Sequence, residues 1–207
     1  MNARAKFITS EEGTHWEDHL MTKKPEIDKE TLDETYRRGY DYCARMGCAP
    51  GVFAAVMDTL GYEDDPVVNG IWKATLGLVG GTGNMSIGTC GAMAGAAMAI
   101  SYSFGLTKED LQDPEGMKQM IKVNGVVAEV GKKMQEKYSH IQCQEVQFHH
   151  WGKSYRTTNP EAMKEFMSLF SNPEIRAACQ EVTGDLARWT VKKISEHNPQ
   201  FSKRKQK

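Results

Sequence analysis

Hydrophobic residues recur along this chain at the spacing that is typical of α-helices. Val52, Val56 and Leu60 stand four residues apart, for example, so that they would form one stripe on a helix packed against a core. No segment alternates hydrophobic and polar residues with the period of two that a half-buried strand shows. The pattern predicts an all-α protein, built as a single helical-bundle domain of about seven helices.

Capping residues, prolines and glycines mark the ends of the predicted helices. Asn159-Pro160 and Asn172-Pro173 each place a capping asparagine ahead of a proline in the first helical turn. A shorter helix should begin near Pro66 and carry Leu76 and Val79 on its apolar stripe. The longer helices are expected over about residues 28–45, 91–104, 114–138, 160–170 and 173–197.

A glycine-rich loop, residues 80–88, interrupts the helical pattern just before Cys90. Four of its nine residues are glycines, which adopt backbone angles closed to other residues and let the main chain approach a ligand closely. The residues that follow, 91–104, are nearly all small. We expect this segment to form a buried helix that a neighbouring helix crosses at close range.

Length, composition and charge limit the possible functions. The 207 residues, 40% of them hydrophobic and 26% charged, suffice for one globular domain. A net charge of −1 leaves no electrostatic footprint for nucleic acid, and the longest apolar run, residues 90–100, is too short to span a membrane. We expect a polar N-terminal arm in residues 1–25, a helical domain in residues 26–198 and a basic C-terminal tail in residues 199–207.

The number of cysteines is informative. Five are too few for a disulfide scaffold, and the number is odd. The N-terminus shows no hydrophobic segment of the kind that directs secretion, so a reducing cytoplasm is the expected compartment. Cysteines in that setting more often bind metal or take part in catalysis. Because no C-x-x-C pair is present, their spacing alone leaves metal binding, redox chemistry and plain burial all open.

Two cysteines stand where helices are expected to begin. Cys48 comes just ahead of an apolar helix, and Cys90 follows the glycine-rich loop. Unpaired backbone N–H groups and the positive end of the helix dipole should lower the pKa of a thiol at such a position and favour the thiolate. Cys43 lies on an apolar helix stripe, where a buried core thiol is the simplest interpretation.

Cys143 and Cys179 lie in helices of the second half of the chain. Cys143 shares a helix face with His150, seven residues further on, which could bind a ligand there, although a single histidine is more often packed or exposed. Cys179 has Ile175 and Val182 on its helix face, so a plain core position is the alternative to a site role.

Taken together, these motifs resemble a family of redox-active proteins defined by one early cysteine, a box of the form C-G-A-x-x-G-A and two later cysteines. The box is matched by Cys90-Gly91-Ala92-Met93-Ala94-Gly95-Ala96, and the preceding glycines resemble the family's glycine-rich lead-in. Cys48 resembles its first cysteine, Cys143 its third and Cys179 its fourth. The resemblance spans about residues 48–194, most of the chain.

The family includes a domain of the split-Soret cytochromes c, which are all-helical dimers with an iron–sulfur centre besides haems. The resemblance therefore implies a homodimer and an iron–sulfur cluster, [2Fe-2S] or [4Fe-4S]. It also implies the metal ligands, which are Cys48, Cys90, Cys143 and Cys179. Haem does not carry over, because this chain contains no C-x-x-C-H motif. Cys43 is additional to the family's four cysteines, and it could replace or supplement one of the ligands.

Glycines near such a cluster would have a role of their own. Backbone N–H groups of Gly81, Gly83 and Gly91 would hydrogen-bond the cluster sulfurs and raise the reduction potential. The alternative is that these glycines only permit tight turns and close helix packing.

Three functions remain open at this point. The first is an iron–sulfur redox protein that passes electrons to a redox partner protein or acts as an oxidoreductase. The second is a metal-free dithiol–disulfide oxidoreductase or redox sensor, and the third is a structural zinc site in an interaction module. A conventional hydrolase is disfavoured, because the chain has no G-x-S-x-G, H-E-x-x-H or Walker motif.

Overall fold

The fold is all-α, as predicted. The computed structural model describes residues 27–201, and within them the chain forms eight α-helices, one more than expected, and no strand. In chain order they are α1 (Lys29–Met46), α2 (Cys48–Thr59), α3 (Pro66–Ala74), α4 (Gly91–Phe104), α5 (Pro114–Tyr138), α6 (Cys143–Trp151), α7 (Pro160–Phe170) and α8 (Pro173–His197).

Side-chain caps begin most of the described helices, including the two for which the sequence predicted an asparagine cap. The amide oxygen of Asn159 accepts hydrogen bonds from the backbone of Glu161 and Ala162, and that of Asn172 accepts one from Glu174. Each cap satisfies a backbone N–H group that has no partner inside the helix, which typically contributes about 1 kcal/mol. Aspartates cap three further helices in the same way, at Asp28, Asp65 and Asp113.

Helix α2 lies in the core of the bundle. Its residues Val52, Phe53 and Val56 are fully buried, and the helix packs against α1, α4 and α8. Helix α5 completes the core from the side of α4 and α8. The crossing of α2 and α4 is close: a Cβ atom added at Gly95 would overlap the carbonyl oxygen of Ala49. The prediction of a buried small-residue helix under a close neighbour is thereby confirmed.

The prediction of where the third helix ends is wrong, because that helix was expected to continue through Leu76 and Val79. Helix α3 ends at Ala74, and Leu76–Leu78 form a single turn of 3-10 helix. Leu76 is exposed, so it does not continue the buried stripe. Val79 has an extended backbone and packs against Gly47 instead. At the helix end, the backbone N–H and the hydroxyl of Thr75 both donate to the carbonyl oxygen of Trp72, at 3.0 and 2.6 Å, and the chain tightens into the 3-10 turn. Beyond that turn, the left-handed backbone that begins at Gly80 cannot continue a right-handed helix.

The predicted N-terminal arm, residues 1–25, lies outside the described residues, as does most of the predicted tail. The tail begins within the fold, since the ring of Phe201 stacks on Tyr62 with 4.4 Å between centroids and meets Tyr102 edge-on. Among the helices that the structure describes, none combines the length and the apolar character needed to cross a membrane.

Candidate metal centre

A single cavity brings the cysteines together. Its volume is about 160 Å³, and all five line it: Cys43, Cys48, Cys90, Cys143 and Cys179. All five are free thiols. A cavity needs only about 10–15 Å³ to hold a water molecule, so this one has room for a group of several atoms. The four cysteines expected to bind metal thus share one site with Cys43, for which a buried core position was the simplest interpretation of the sequence.

Three of these thiols stand at helix N-termini that meet at the cavity. Cys48 and Cys143 are the first residues of α2 and α6, and Cys90 is the N-cap of α4. The sequence predicted this position for Cys48 and Cys90 but not for Cys143. The N-terminal turns of three helices therefore bring their positive partial charge to one site. The first two N–H groups of α6, from Cys143 and Gln144, are themselves bonded to the carbonyl oxygens of Gly88 and Ser86.

Hydrogen bonds between two segments hold Cys90 and Cys143 side by side. The backbone N–H of Cys90 donates to the carbonyl oxygen of Ile141 at 2.7 Å, and that of Cys143 donates to Gly88 at 2.9 Å. The two segments form an isolated antiparallel bridge between Thr89 and Gln142. This bridge connects the starts of α4 and α6, which are far apart in the sequence.

Backbone N–H groups point at the sulfur atoms of Cys48 and Cys90 and favour their ionised forms. They come from the first turns of α2 and α4 and from the glycine-rich loop: Ala49, Gly80, Gly91, Ala92 and Met93. Such donors hold a thiolate in place and stabilise its negative charge, which is the environment that a metal-bound thiolate requires.

Burial nevertheless raises the pKa of every cysteine, contrary to the prediction that helix starts would lower it. The pKa of Cys43 rises to about 12 and that of Cys143 to about 11, while the pKa values of Cys90 and Cys179 rise well above the ordinary range. The main cause is the loss of hydration around the thiolate, and neighbouring thiols add to it. A bound cation is the natural means of ionising these thiols at neutral pH.

The raised pKa values predict that the metal-free protein loses stability at high pH. The unfolded chain releases thiol protons near the ordinary value of 9.0, whereas the folded chain keeps those of Cys43 and Cys143 until about pH 11–12. The unfolded state therefore binds fewer protons in this window, and the free energy of unfolding falls as the pH rises.

Urea unfolding of the metal-free protein at a series of pH values from 8 upward measures this effect, with ~9 as the expected onset. Cys43→Ser removes one of the buried thiols and should show a smaller decline than the parent protein. A midpoint that does not change with pH would contradict the burial of these thiols.

The glycine-rich loop, residues 80–88, contributes to the cavity wall in a left-handed backbone conformation. Six residues have φ between 57° and 71°: Gly80, Gly81, Thr82, Gly83, Asn84 and Ser86. A β-branched residue such as Thr82 is strained in this region. Hydrogen bonds within the loop hold the conformation, including one from the backbone N–H of Ser86 to Gly80 at 2.9 Å.

The three glycines proposed to bind the cofactor occupy different positions. A Cβ atom at Gly91 would overlap the sulfur of Cys48, and one at Gly81 would lie 2.7 Å from the Cβ of Cys143. Both glycines therefore let a cysteine approach the main chain closely. Gly83 has open space where its Cβ would be. None of the three lines the cavity itself, whereas the neighbouring Gly80 does.

A polar network, which the sequence did not reveal, lies beside Cys143. The amide nitrogen of Gln147 donates to the sulfur of Cys143 at 3.3 Å and to the hydroxyl of Ser86 at 3.2 Å. The amide oxygen of Gln147 accepts a hydrogen bond from the backbone N–H of Tyr155 at 2.7 Å, and Ser86 donates to the carbonyl of Tyr155. All four residues are buried.

Four aromatic side chains, here called the aromatic cover, line the cavity from α6, α7 and the loop between them. They are Trp151, Tyr155, Phe166 and Phe170. Successive ring centroids lie 4.9–6.3 Å apart, the range in which aromatic rings stabilise one another. His150 is not part of the lining: its ring packs 5.4 Å from that of Tyr138, and burial lowers its pKa.

The spacing of the sulfurs bears on the kind of metal group. Among the described residues, which include every cysteine, no three thiols have their sulfur atoms all within 4.8 Å of one another. Four thiolates on one tetrahedral zinc, with bonds of about 2.3 Å, would lie about 3.8 Å apart. The thiols are therefore spread more widely than a mononuclear site holds them.

Among the residues that the structure describes, one other group of ligand-type side chains consists of three half-buried residues. Glu129, Glu196 and His197 bring their donor atoms within 4.8 Å of one another. The ammonium of Lys193 pairs with both carboxylates, at 2.5 and 2.8 Å. The ammonium of Lys192 lies 3.9 Å from Glu196 as well, so both carboxylates are already ion-paired.

The sequence model of one protein family matches residues 46–193, and its description reads "Putative redox-active protein (C_GCAxxG_C_C)". The match covers well over half of the chain and includes all four cysteines that the resemblance singled out. The chain belongs to this family. Membership supports a redox role and confirms the resemblance seen in the sequence. No curated protein and no solved structure matches the chain.

The chain departs from the family description at the box. The description writes it as G-C-A-x-x-G, whereas the chain reads Cys90-Gly91-Ala92-Met93-Ala94-Gly95, with the first two residues exchanged. The structure accounts for this order. A Cβ atom at position 91 would overlap the sulfur of Cys48 and lie 2.8 Å from the carbonyl oxygen of Leu78, so a cysteine fits at position 90 and not at position 91.

Proposed function

We propose that this protein is an iron–sulfur redox protein that passes single electrons to a redox partner protein. Cys48, Cys90, Cys143 and Cys179 would bind the cluster, because four thiolates are the usual ligand set. The observation that carries the proposal is the meeting of the cysteines and three helix N-termini at one cavity. Positive partial charge from those N-termini suits a cluster whose thiolates and sulfides are anionic.

The wide spacing of the thiols supports a cluster over a single zinc ion. In a cluster the four thiolates are divided among two or four iron atoms, so three of their sulfurs need not lie around one ion. The cavity volume of about 160 Å³ is consistent with a group of several atoms.

Cys43 is the fifth thiol and fits a supporting role. Its sulfur donates a hydrogen bond to the carbonyl oxygen of Cys179 at 3.5 Å, and only a protonated thiol can do so. Thr183 donates to the same carbonyl at 2.8 Å. These contacts leave the side chain of Cys179 as the ligand from α8 and hold its backbone in place.

The aromatic cover and the apolar side chains beside it would limit the access of water to the cluster. Trp151, Phe166 and Phe170 contribute to a lining that is largely apolar, together with Val146 and Val182. Such a shell controls the local dielectric and the reduction potential, and it restricts hydrolysis of the cluster.

Anaerobic purification followed by iron and sulfide analysis tests the proposal. We expect iron and acid-labile sulfide in equal amounts, visible absorption that bleaches with dithionite, and an EPR signal in one oxidation state. Two other outcomes would replace the proposal. A colourless protein with one bound zinc would indicate a structural zinc site, and a metal-free protein with a measurable dithiol potential would indicate a dithiol oxidoreductase.

A further inference from the structure

Gln147 is the one glutamine in the lining of the cavity, and its amide connects a cysteine to the aromatic cover. It lies on α6, one turn after Cys143, and is 7% exposed. Its nitrogen is 3.3 Å from the sulfur of Cys143, and its oxygen is 2.7 Å from the backbone nitrogen of Tyr155. A buried polar side chain with partners on both sides has one fixed position.

The network itself determines which end of the amide faces the sulfur. The backbone N–H of Tyr155 can only donate, so the Gln147 atom facing it must be the oxygen. The hydroxyl of Ser86 donates its proton to the carbonyl of Tyr155, so it accepts from the amide nitrogen of Gln147. The N–H₂ group is thereby left to donate to Cys143. A flipped amide would place two donors or two acceptors face to face.

We propose that Gln147 is a positioning residue that sets the reduction potential of the metal centre through its hydrogen bond to Cys143; this inference rests on the proposed iron–sulfur function. A cluster gains an electron on reduction, and negative charge builds up on its sulfur ligands. A hydrogen-bond donor to a ligand sulfur stabilises that charge, so it favours the reduced state and raises the potential. Loss of the donor should lower the potential.

The same residue connects the sulfur of Cys143 to the aromatic cover. Tyr155 belongs to the cover, and its backbone is held at both the N–H and the carbonyl by Gln147 and Ser86. The donor is therefore kept away from water. A hydrogen bond to a charged sulfur has its largest effect in such a buried environment. An exposed amide would compete with water for the sulfur and would have little influence.

The test compares two substitutions at Gln147 with the same substitutions at Gln144. Gln147→Met keeps the length of the side chain and removes the donor, and Gln147→Glu keeps an oxygen for Tyr155 and replaces the donor with a carboxylate. Gln144 lies on the same helix, outside the cavity lining, and bonds to Glu145 at 3.0 Å. Gln144→Met and Gln144→Glu therefore match the change of composition and charge.

Iron and sulfide are counted first, and the potential is then measured by redox titration of the cluster-containing proteins. We expect Gln147→Met to shift the reduction equilibrium by about tenfold toward the oxidised state, which is about 59 mV for a one-electron couple. Gln147→Glu should shift it further in the same direction, because a carboxylate faces the cluster. Both Gln144 variants should keep the parent potential.

The outcomes separate the two proposals. Cluster-containing Gln147 variants with the parent potential would overturn this inference and leave the iron–sulfur function in place. A parent protein without iron and sulfide would overturn both. If Gln147→Met does not fold, Gln147→Glu, which keeps the contact with Tyr155, decides the question by itself, since an unchanged potential in that variant contradicts the role.

Discussion

Replacing Cys90 with serine is expected to remove most of the bound iron, whereas replacing Cys43 should leave it in place. Cys90 stands at the N-terminus of α4, and backbone N–H groups of Ala92 and Met93 point at its sulfur. Loss of a residue that only supports a metal ligand typically lowers the metal affinity by about 10–100-fold. Loss of the ligand itself should lower the affinity by at least as much. Serine binds iron poorly, because its hydroxyl stays protonated where a thiol ionises.

Cys43→Ser is a matched control for this prediction. The two cysteines are equally buried, at 6% and 7% exposure, and both line the cavity, so that the variants differ mainly in the proposed bonding. Iron and sulfide per chain are measured after anaerobic purification, with far-UV circular dichroism to show that both variants fold. Equal iron in the two variants would reverse the assignment of ligands.

The variant Cys179→Ser tests whether Cys179 or Cys43 is the fourth ligand. Cys43 and Cys179 are neighbours, since a thiolate at Cys43 would raise the pKa of Cys179. We expect Cys179→Ser to lose iron as Cys90→Ser does. If Cys179→Ser keeps its iron and Cys43→Ser loses it, Cys43 is the ligand and Cys179 the supporting thiol.

Replacing Gly95 with alanine should destabilise the fold and also weaken the metal centre. The new methyl group would overlap the carbonyl oxygen of Ala49 and lie 3.1 Å from its carbonyl carbon. Backbone cannot move aside as a flexible side chain can, so α2 and α4 must separate. Overpacking of this kind typically costs about 1–3 kcal/mol. Because Cys48 and Cys90 begin these two helices, the separation should also reduce the iron content.

Gly125→Ala provides the control for this effect. Gly125 lies within α5, and a Cβ atom there would meet no other atom within 4 Å. Alanine in an exposed helical position should stabilise the protein by about 0.5–1 kcal/mol relative to glycine. Urea unfolding and iron content are measured for both variants. A Gly95→Ala variant as stable as the parent would show that the two helices do not cross as closely as described.

Much of the fold could be read from local sequence signals. Capping residues and prolines predicted where α7 and α8 begin, because a cap depends on residues within one turn of the helix start. The end of α3 could not be predicted in this way. The apolar stripe continues to Leu76 and Val79, but the helix ends at Ala74, where the N–H and hydroxyl of Thr75 both bond to the carbonyl of Trp72, and the left-handed loop follows from Gly80.

Neighbouring positions on a helix face did not predict the site reliably. His150 shares a face with Cys143 but lies seven residues on, which is about 10 Å along the helix axis, and it packs against Tyr138 outside the cavity. Gln147 lies between them, one turn from Cys143, and reaches its sulfur. Nothing in the local pattern distinguishes this glutamine from Gln144, because its role depends on the Tyr155 backbone.

The sequence by itself determined the helical class, the glycine-rich loop before Cys90 and the cysteines worth examining, because periodicity, caps and motifs are local properties of the chain. Only the tertiary structure decided what those cysteines face. Cys43 illustrates the difference: its apolar stripe predicts burial correctly, yet periodicity cannot tell whether a buried side faces packed hydrocarbon or a cavity. Which helices meet depends on contacts between distant segments, and three N-termini came together here through close helix crossings and a single backbone bridge.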